Sequence, residues 1–127
     1  MRIALDTNRY RDLTDGDQAV VATIETADDV FVPFVVLAEL RGGFAVGRHG
    51  RENERHLLRF LAKPGVGVLF GTDATTHVYA DLYGQLRRQG TPVPTHDLWI
   101  AALVVEHSLV LMSRDRHFDR LPQIHRI

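Results

Sequence analysis

Short apolar runs alternate with longer helical patterns along this chain, and that alternation predicts an α/β fold built on a parallel sheet. Two further observations agree. At 127 residues the chain suits one domain with a real core, spanning 1–127. No repeat, low-complexity tract or linker breaks the pattern, and the composition, 45% hydrophobic and 24% charged, is that of an ordinary globule.

In chain order, Arg2–Leu5 reads as a first strand. Asp17–Ala27 follows as a helix. Val30–Val32 is the second strand, and the apolar stretch from Val35 to Phe44 is the helix after it. Glu52–Ala62 reads as another helix and Val66–Phe70 as the third strand. Thr75–Gln89 is a long helix ended by Gly90, with Pro92 and Pro94 leading into the next. Thr95 suits the N-cap of His96–His107, which puts Asp97 in the first turn. That helix is apolar on almost every face, so it should be buried. Leu109–Met112 is the fourth strand and Ile124–Ile127 a weak last one.

Several classes are excluded. There is no cysteine, hence no disulfide, thiolate chemistry or Cys-based zinc site. No apolar run reaches the roughly 20 residues a membrane span needs. The opening Met-Arg-Ile-Ala-Leu-Asp turns acidic at once, unlike a signal peptide, so a cytoplasmic protein is expected. The net charge of −1 gives no global basic field. Lys63 is the only lysine. Arginine suits bidentate phosphate contact, though genomic base composition also accounts for the bias.

The informative residues are four acids, each interrupting or ending an apolar stretch. Asp6 closes Ile3-Ala4-Leu5, Glu39 sits within Val35–Leu40, Asp97 opens Leu98–Leu103, and Asp115 follows Leu109–Arg114. An unpaired carboxylate near a core is costly. A divalent metal that neutralises all four gives them a common reason, and points to a hard cation with oxygen ligands. Singly, each has a structural alternative: a cap at Asp6, a helix-start charge at Asp97, a solvated turn at Asp115, and a pair with Arg41 at Glu39.

Topology brings them together. Open α/β sheets bind ligands beyond the carboxyl ends of their strands, where the strand order reverses. If the first and fourth strands are neighbours, Asp6 and Asp115 meet in that crevice. Asp97 at a helix N-terminus and Glu39 one turn into its helix can face the same point.

The chain resembles the PIN-domain family, and within it the VapC-type toxin ribonucleases. The resemblance rests on Leu5-Asp6-Thr7-Asn8, Ala38-Glu39-Leu40-Arg41-Gly42-Gly43, His96-Asp97-Leu98-Trp99-Ile100-Ala101-Ala102 and Ser113-Arg114-Asp115-Arg116-His117-Phe118, in that order, nearly end to end. It implies a three-layer α/β/α sandwich. Asp6, Glu39, Asp97 and Asp115 would be the acidic quartet that holds Mg²⁺ or Mn²⁺. The implied activity is endonucleolytic cleavage of RNA. The implied partners are an RNA substrate, a cognate antitoxin whose tail folds onto the toxin, and a second copy in a homodimer. Ser113 stands where threonine is commoner, and keeps the hydroxyl. His96 stands where asparagine is common.

Carboxylates alone suit Mg²⁺ or Mn²⁺ better than zinc, and the seven histidines form no zinc motif. No phosphate-binding Gly-rich loop with Lys and Ser/Thr is present, which argues against an NTPase. His117 lies nearest the acids, and Asp119 reads as a surface residue. Arg9, Arg11, Arg41, Arg48, Arg114 and Arg116 are candidates to grip phosphate, and Tyr10, Phe44 and Phe118 to stack on bases. The helices at Val35–Phe44 and Thr75–Gln89 are the expected antitoxin groove, with Trp99 or Tyr83 at a dimer face. Two other readings remain. A signalling receiver domain would need a lysine after the last strand and paired acids after the first, which this chain lacks. A non-catalytic PIN fold that binds RNA or protein differs by not depending on the acids.

Overall fold

The structure, a computed structural model, describes all 127 residues. Strands β1 (Arg2–Leu5), β2 (Asp29–Pro33), β3 (Val66–Leu69) and β4 (Val110–Met112) form one parallel sheet in the order β3-β2-β1-β4. The helices are α1 (Thr7–Thr14), α2 (Gln18–Thr26), α3 (Phe34–Val46), α4 (Gly50–Leu61), α5 (Asp73–Gln89) and α6 (Thr95–Glu106), and a short 3₁₀ turn spans Arg116–Arg120.

Ile3, Ala4 and Leu5 are all fully buried. Successive strand residues face opposite sides, so both faces of β1 are covered. The fold is therefore the expected three-layer α/β/α sandwich. Each fully buried Leu or Ile in this core contributes about 1.5–3 kcal/mol of transfer free energy. Helix α6 is the buried central helix its composition predicts: Leu98 and Ile100–Val104 are all inside. Helix α4 is amphipathic instead, burying Leu57 and Phe60 and turning its charges outward. Gly90 ends α5 in the left-handed region at φ +71°, where its N–H reaches the carbonyls of Leu86 and Arg87.

The order of strands decides where a ligand would sit. From β1 the chain proceeds to β2 and then β3 on one side. It returns from β3 to β4 on the other side of β1. The reversal lies between β1 and β4, which meets the condition on which the meeting of Asp6 and Asp115 depended.

Three local expectations change. Thr7–Thr14 is a helix that polarity concealed, because only Thr7 and Tyr10 are buried on it. Thr95 is the first helical residue of α6, and Pro94 occupies the N-cap without a side-chain bond. Asp97 stays in the first turn. The weak last strand shrinks to one parallel bridge between Leu111 and Arg126, although backbone bonds from Leu111 N–H to His125 O (2.9 Å) and Ile127 N–H to Leu111 O (2.8 Å) hold that segment beside β4.

Candidate metal centre

Asp6 is the first residue beyond β1, and its backbone N–H donates to Met112 O of β4 at 3.0 Å. The two strand ends are thus joined where the sheet order reverses. The Asp6 carboxylate is buried, 5% exposed. Its Oδ1 accepts the Thr7 N–H at 2.8 Å and so caps α1. Its Oδ2 accepts the Ser113 hydroxyl at 2.6 Å. Burial pushes the Asp6 pKa above the usual carboxylate range, and the charge of Glu39 pushes the same way. The bonds from Ser113 and Thr7 and the nearby His96 oppose the shift.

Ser113, the first residue beyond β4, is fully buried. Its Oγ donates to Asp6 and accepts the Asp115 N–H at 3.0 Å. Asn8 strengthens the join: its Oδ1 accepts the Arg114 N–H at 3.1 Å. Asp115 caps the 3₁₀ turn by accepting the His117 N–H at 2.9 Å. The capping alternatives for Asp6 and Asp115 are therefore real, and they coexist with convergence. A cap fixes each carboxylate in place.

Asp97, 8% exposed, enters from the first turn of α6. Its pKa is raised by burial first, and by the charges of Asp115 and Asp6; a bond from His117 opposes this. His117 Nδ1 stands 3.1 Å from Asp97 Oδ2 and 3.1 Å from Asp115 Oδ1. Glu39 enters from α3, and His96 Nε2 lies 2.8 Å from its Oε2. The Arg41 partner considered for Glu39 is engaged elsewhere, bonding Glu54 through two 2.9 Å contacts.

Donor atoms of Asp97, Asp115 and His117 lie within 4.8 Å of one another, Asp6 is tied to Asp115 through Ser113, and Glu39, exposed on α3, falls outside that tight group. Asp6 and Asp97 are buried carboxylates whose ionised forms the fold disfavours, beside like charges. That is an oxygen-rich donor set with two imidazoles beside it, and it fits a hard divalent cation.

The surrounding residues divide differently from expectation. Tyr10 and Phe118 are 3% and 1% exposed, so they are core residues and cannot stack on bases. Phe44 is half-buried and lines a cleft. Arg9 and Arg114 both pair with Asp12, at 3.1 Å each. Arg116 is exposed and forms no ion pair. Asp119 pairs with Arg126 at 2.8 Å on the surface. Helix α3 does border a cleft, of roughly 340 Å³, but with α1 and α4 rather than α5; Tyr10, Arg11, Leu40, Phe44 and His56 line it. Tyr83 is exposed, stacked on Tyr79, which in turn packs on Trp99 at 4.3 Å. His117 stands two residues from Asp115 in sequence, but its contact with Asp97 and that of His96 with Glu39 join different elements and were invisible there.

The PIN domain family matches residues 3–124. The chain is 32% identical over 124 residues to VapC ribonuclease Y4jK of Sinorhizobium fredii, covering 89% of this chain and 86% of that protein. Its fold is similar to VapBC2 from Rickettsia felis bound to a DNA fragment from their promoter, with TM-score 0.88, 21% identity and coverage of 100% and 98%. It is also similar to FitAcB from Neisseria gonorrhoeae, with TM-score 0.81, 25% identity and coverage of 98% and 96%.

Proposed function

This chain belongs to the PIN-domain family, and from that premise we propose that it is a divalent-metal-dependent endoribonuclease, the toxin of a toxin–antitoxin pair. The observation that carries the reading is the linkage of Asp6, Asp97 and Asp115 through Ser113 and His117 at the β1/β4 reversal. Asp6, Glu39, Asp97 and Asp115 would hold Mg²⁺ or Mn²⁺. Such an ion, when bound, polarises a phosphoryl oxygen and acidifies water for attack on a phosphodiester.

The chain's own residues do the positioning. Ser113 holds Asp6 in one rotamer and ties the Asp115 backbone to it. His96 sits against Glu39 and His117 against Asp97 and Asp115, so each outer carboxylate is steadied by an imidazole. Arg116, exposed next to Asp115, is our candidate for an RNA phosphate beside the cut, whereas Arg114 on the other side is paired with Asp12.

The antitoxin is the expected second partner. The cleft between α1, α3 and α4 offers aromatic and aliphatic side chains to a folding tail. A basic side chain of that tail would pair with the acids and compete with the cation. The Tyr79–Tyr83–Trp99 surface suits a homodimer contact. No helix is long and apolar enough to cross a membrane. We place the action on cytoplasmic RNA.

The test is cleavage of total RNA by purified protein with Mg²⁺, with Mn²⁺ and with chelator. Metal-dependent cutting that disappears in Asp97→Asn supports the reading. Equal cutting with chelator removes the metal dependence, and no cutting under any condition favours a binding module.

A further inference from the structure

We propose that His117 is itself a ligand of the cation at this centre, through Nδ1 and beside Asp97 and Asp115, and that this nitrogen inclines the site toward Mn²⁺ over Mg²⁺. The inference rests on the metal-centre reading above and goes beyond its four carboxylates.

The geometry carries it. Nδ1 is 3.1 Å from one oxygen of each acid, the hydrogen-bond contacts of the metal-free site, which a bound ion would replace as Nδ1 turns from hydrogen-bond partner to ligand. Adjacent ligands of an octahedral ion, each about 2.1 Å from it, lie about 3 Å apart. One donor atom from each of Asp97, Asp115 and His117 falls within 4.8 Å of the others. The ring is also held there. Its backbone N–H is bonded to Asp115 Oδ1, and the next residue, Phe118, is sunk in the core at 1% exposure. Asp97 lies 20 residues away on a different element, so local turn geometry does not account for its contact with Nδ1. His96 contrasts with it: its Nε2 meets the single carboxylate of Glu39.

The chemistry follows. Carboxylate and water oxygens suit Mg²⁺, Ca²⁺ and Mn²⁺, whereas imidazole suits first-row transition ions. A set of acids with one imidazole nitrogen gives up little for Mn²⁺ but loses fit for Mg²⁺, which prefers oxygen.

Pulsed electron paramagnetic resonance of the Mn²⁺-loaded protein tests this, because a directly bound ¹⁴N modulates the Mn²⁺ echo. The wild type should show that coupling. It should vanish in His117→Gln and persist in His96→Gln. Mn²⁺ affinity of His117→Gln should fall by about tenfold or more, and Mg²⁺ affinity by less. Mn²⁺ bound without nitrogen coupling, or coupling that survives His117→Gln, overturns the role of His117 and leaves the carboxylate centre standing. Failure of the wild type to bind Mn²⁺ at all overturns both.

Discussion

The Ser113 hydroxyl donates to Asp6 Oδ2 at 2.6 Å, across the seam where β1 and β4 end side by side. One small side chain thereby fixes the most buried acid of the centre and, through the Asp115 N–H, the start of the segment that carries another. Ser113→Ala should leave a buried carboxylate without its strongest donor. A hydrogen bond to a charged group is worth about 1.5–3 kcal/mol, and we expect a loss of that order in urea unfolding. RNA cleavage should fall as well, and Ser113→Thr should keep most of it. An unchanged urea midpoint in the alanine variant would show that Asp6 does not depend on this bond.

The raised pKa of Asp6 and Asp97 makes a prediction for metal-free protein. A carboxyl whose folded pKa lies above its unfolded value, about 4, destabilises the fold when ionised. That cost is full above the folded pKa, shrinks as pH falls through it, and is gone below the unfolded pKa. With chelator at neutral pH, Asp6→Asn should therefore melt no lower than wild type, and its advantage should narrow on acidification. Adding Mn²⁺ or Mg²⁺ should raise the melting temperature of wild type more than that of Asp6→Asn. Identical metal-induced shifts in the two proteins would remove Asp6 from the ligand set.

How much of this was readable beforehand varies by residue, for physical reasons. The strands were legible because a doubly covered parallel strand must be apolar throughout, as Ile3-Ala4-Leu5 is, whereas the β1/β4 adjacency entered only as a condition. The four acids stood out because charge beside such runs is rare. Helix α1 did not, since Thr7–Thr14 buries little and its cap residue, Asp6, reads equally as a turn. The Thr95 cap failed because Pro94 already supplies the extended backbone an N-cap needs. Arg41 fell to Glu54, 13 residues on, and His117 to Asp97, 20 residues back. Pairings of that kind are set by how helices pack, and no local pattern encodes them.

Substitution of the acids should separate catalysis from folding. Asp97→Ala and Asp115→Ala each remove like charge from a crowded site, so circular dichroism should be native. Cleavage with Mn²⁺ should drop by at least about a hundredfold, on the scale of removing one preorganised electrostatic group. Glu39→Ala should be less severe, because Glu39 is exposed and not locked by a backbone bond. An Asp97→Ala protein that is folded and cuts at the wild-type rate would be incompatible with the assigned role.

The surface pair Asp119–Arg126 supplies a contrasting case. The Arg126 guanidinium holds Asp119 below the usual carboxylate range and also donates to Ser113 O at 3.0 Å, binding the C-terminal segment to β4. A depressed carboxyl stabilises above its unfolded pKa and loses that effect as pH falls through the folded value. Acidification should therefore loosen this segment while it relieves Asp6, and Arg126→Ala should mimic the loosening at neutral pH. Amide hydrogen exchange at Leu111 and Ile127 is the readout, with faster exchange expected and global stability little changed.

The toxin assignment makes the broadest claim. A nuclease acting on cellular RNA should slow the growth of a host that expresses it alone, and the effect must run through the acids. Asp6→Asn removes charge without changing shape, so it should relieve the arrest while the protein accumulates normally. The partner should then act through the cleft between α1, α3 and α4 and through the acids together. A tail folding there orders itself at a cost, which burial against residues such as Leu40 and Phe44 offsets. Co-expression of the neighbouring upstream gene should restore growth and co-purify a complex. Replacing Phe44 with Asp should weaken that complex and leave RNA cleavage intact, since the cleft is not the metal centre. A wild-type protein that is harmless and captures no product of that gene would refute the toxin role, even if metal-dependent RNA cleavage persists in vitro.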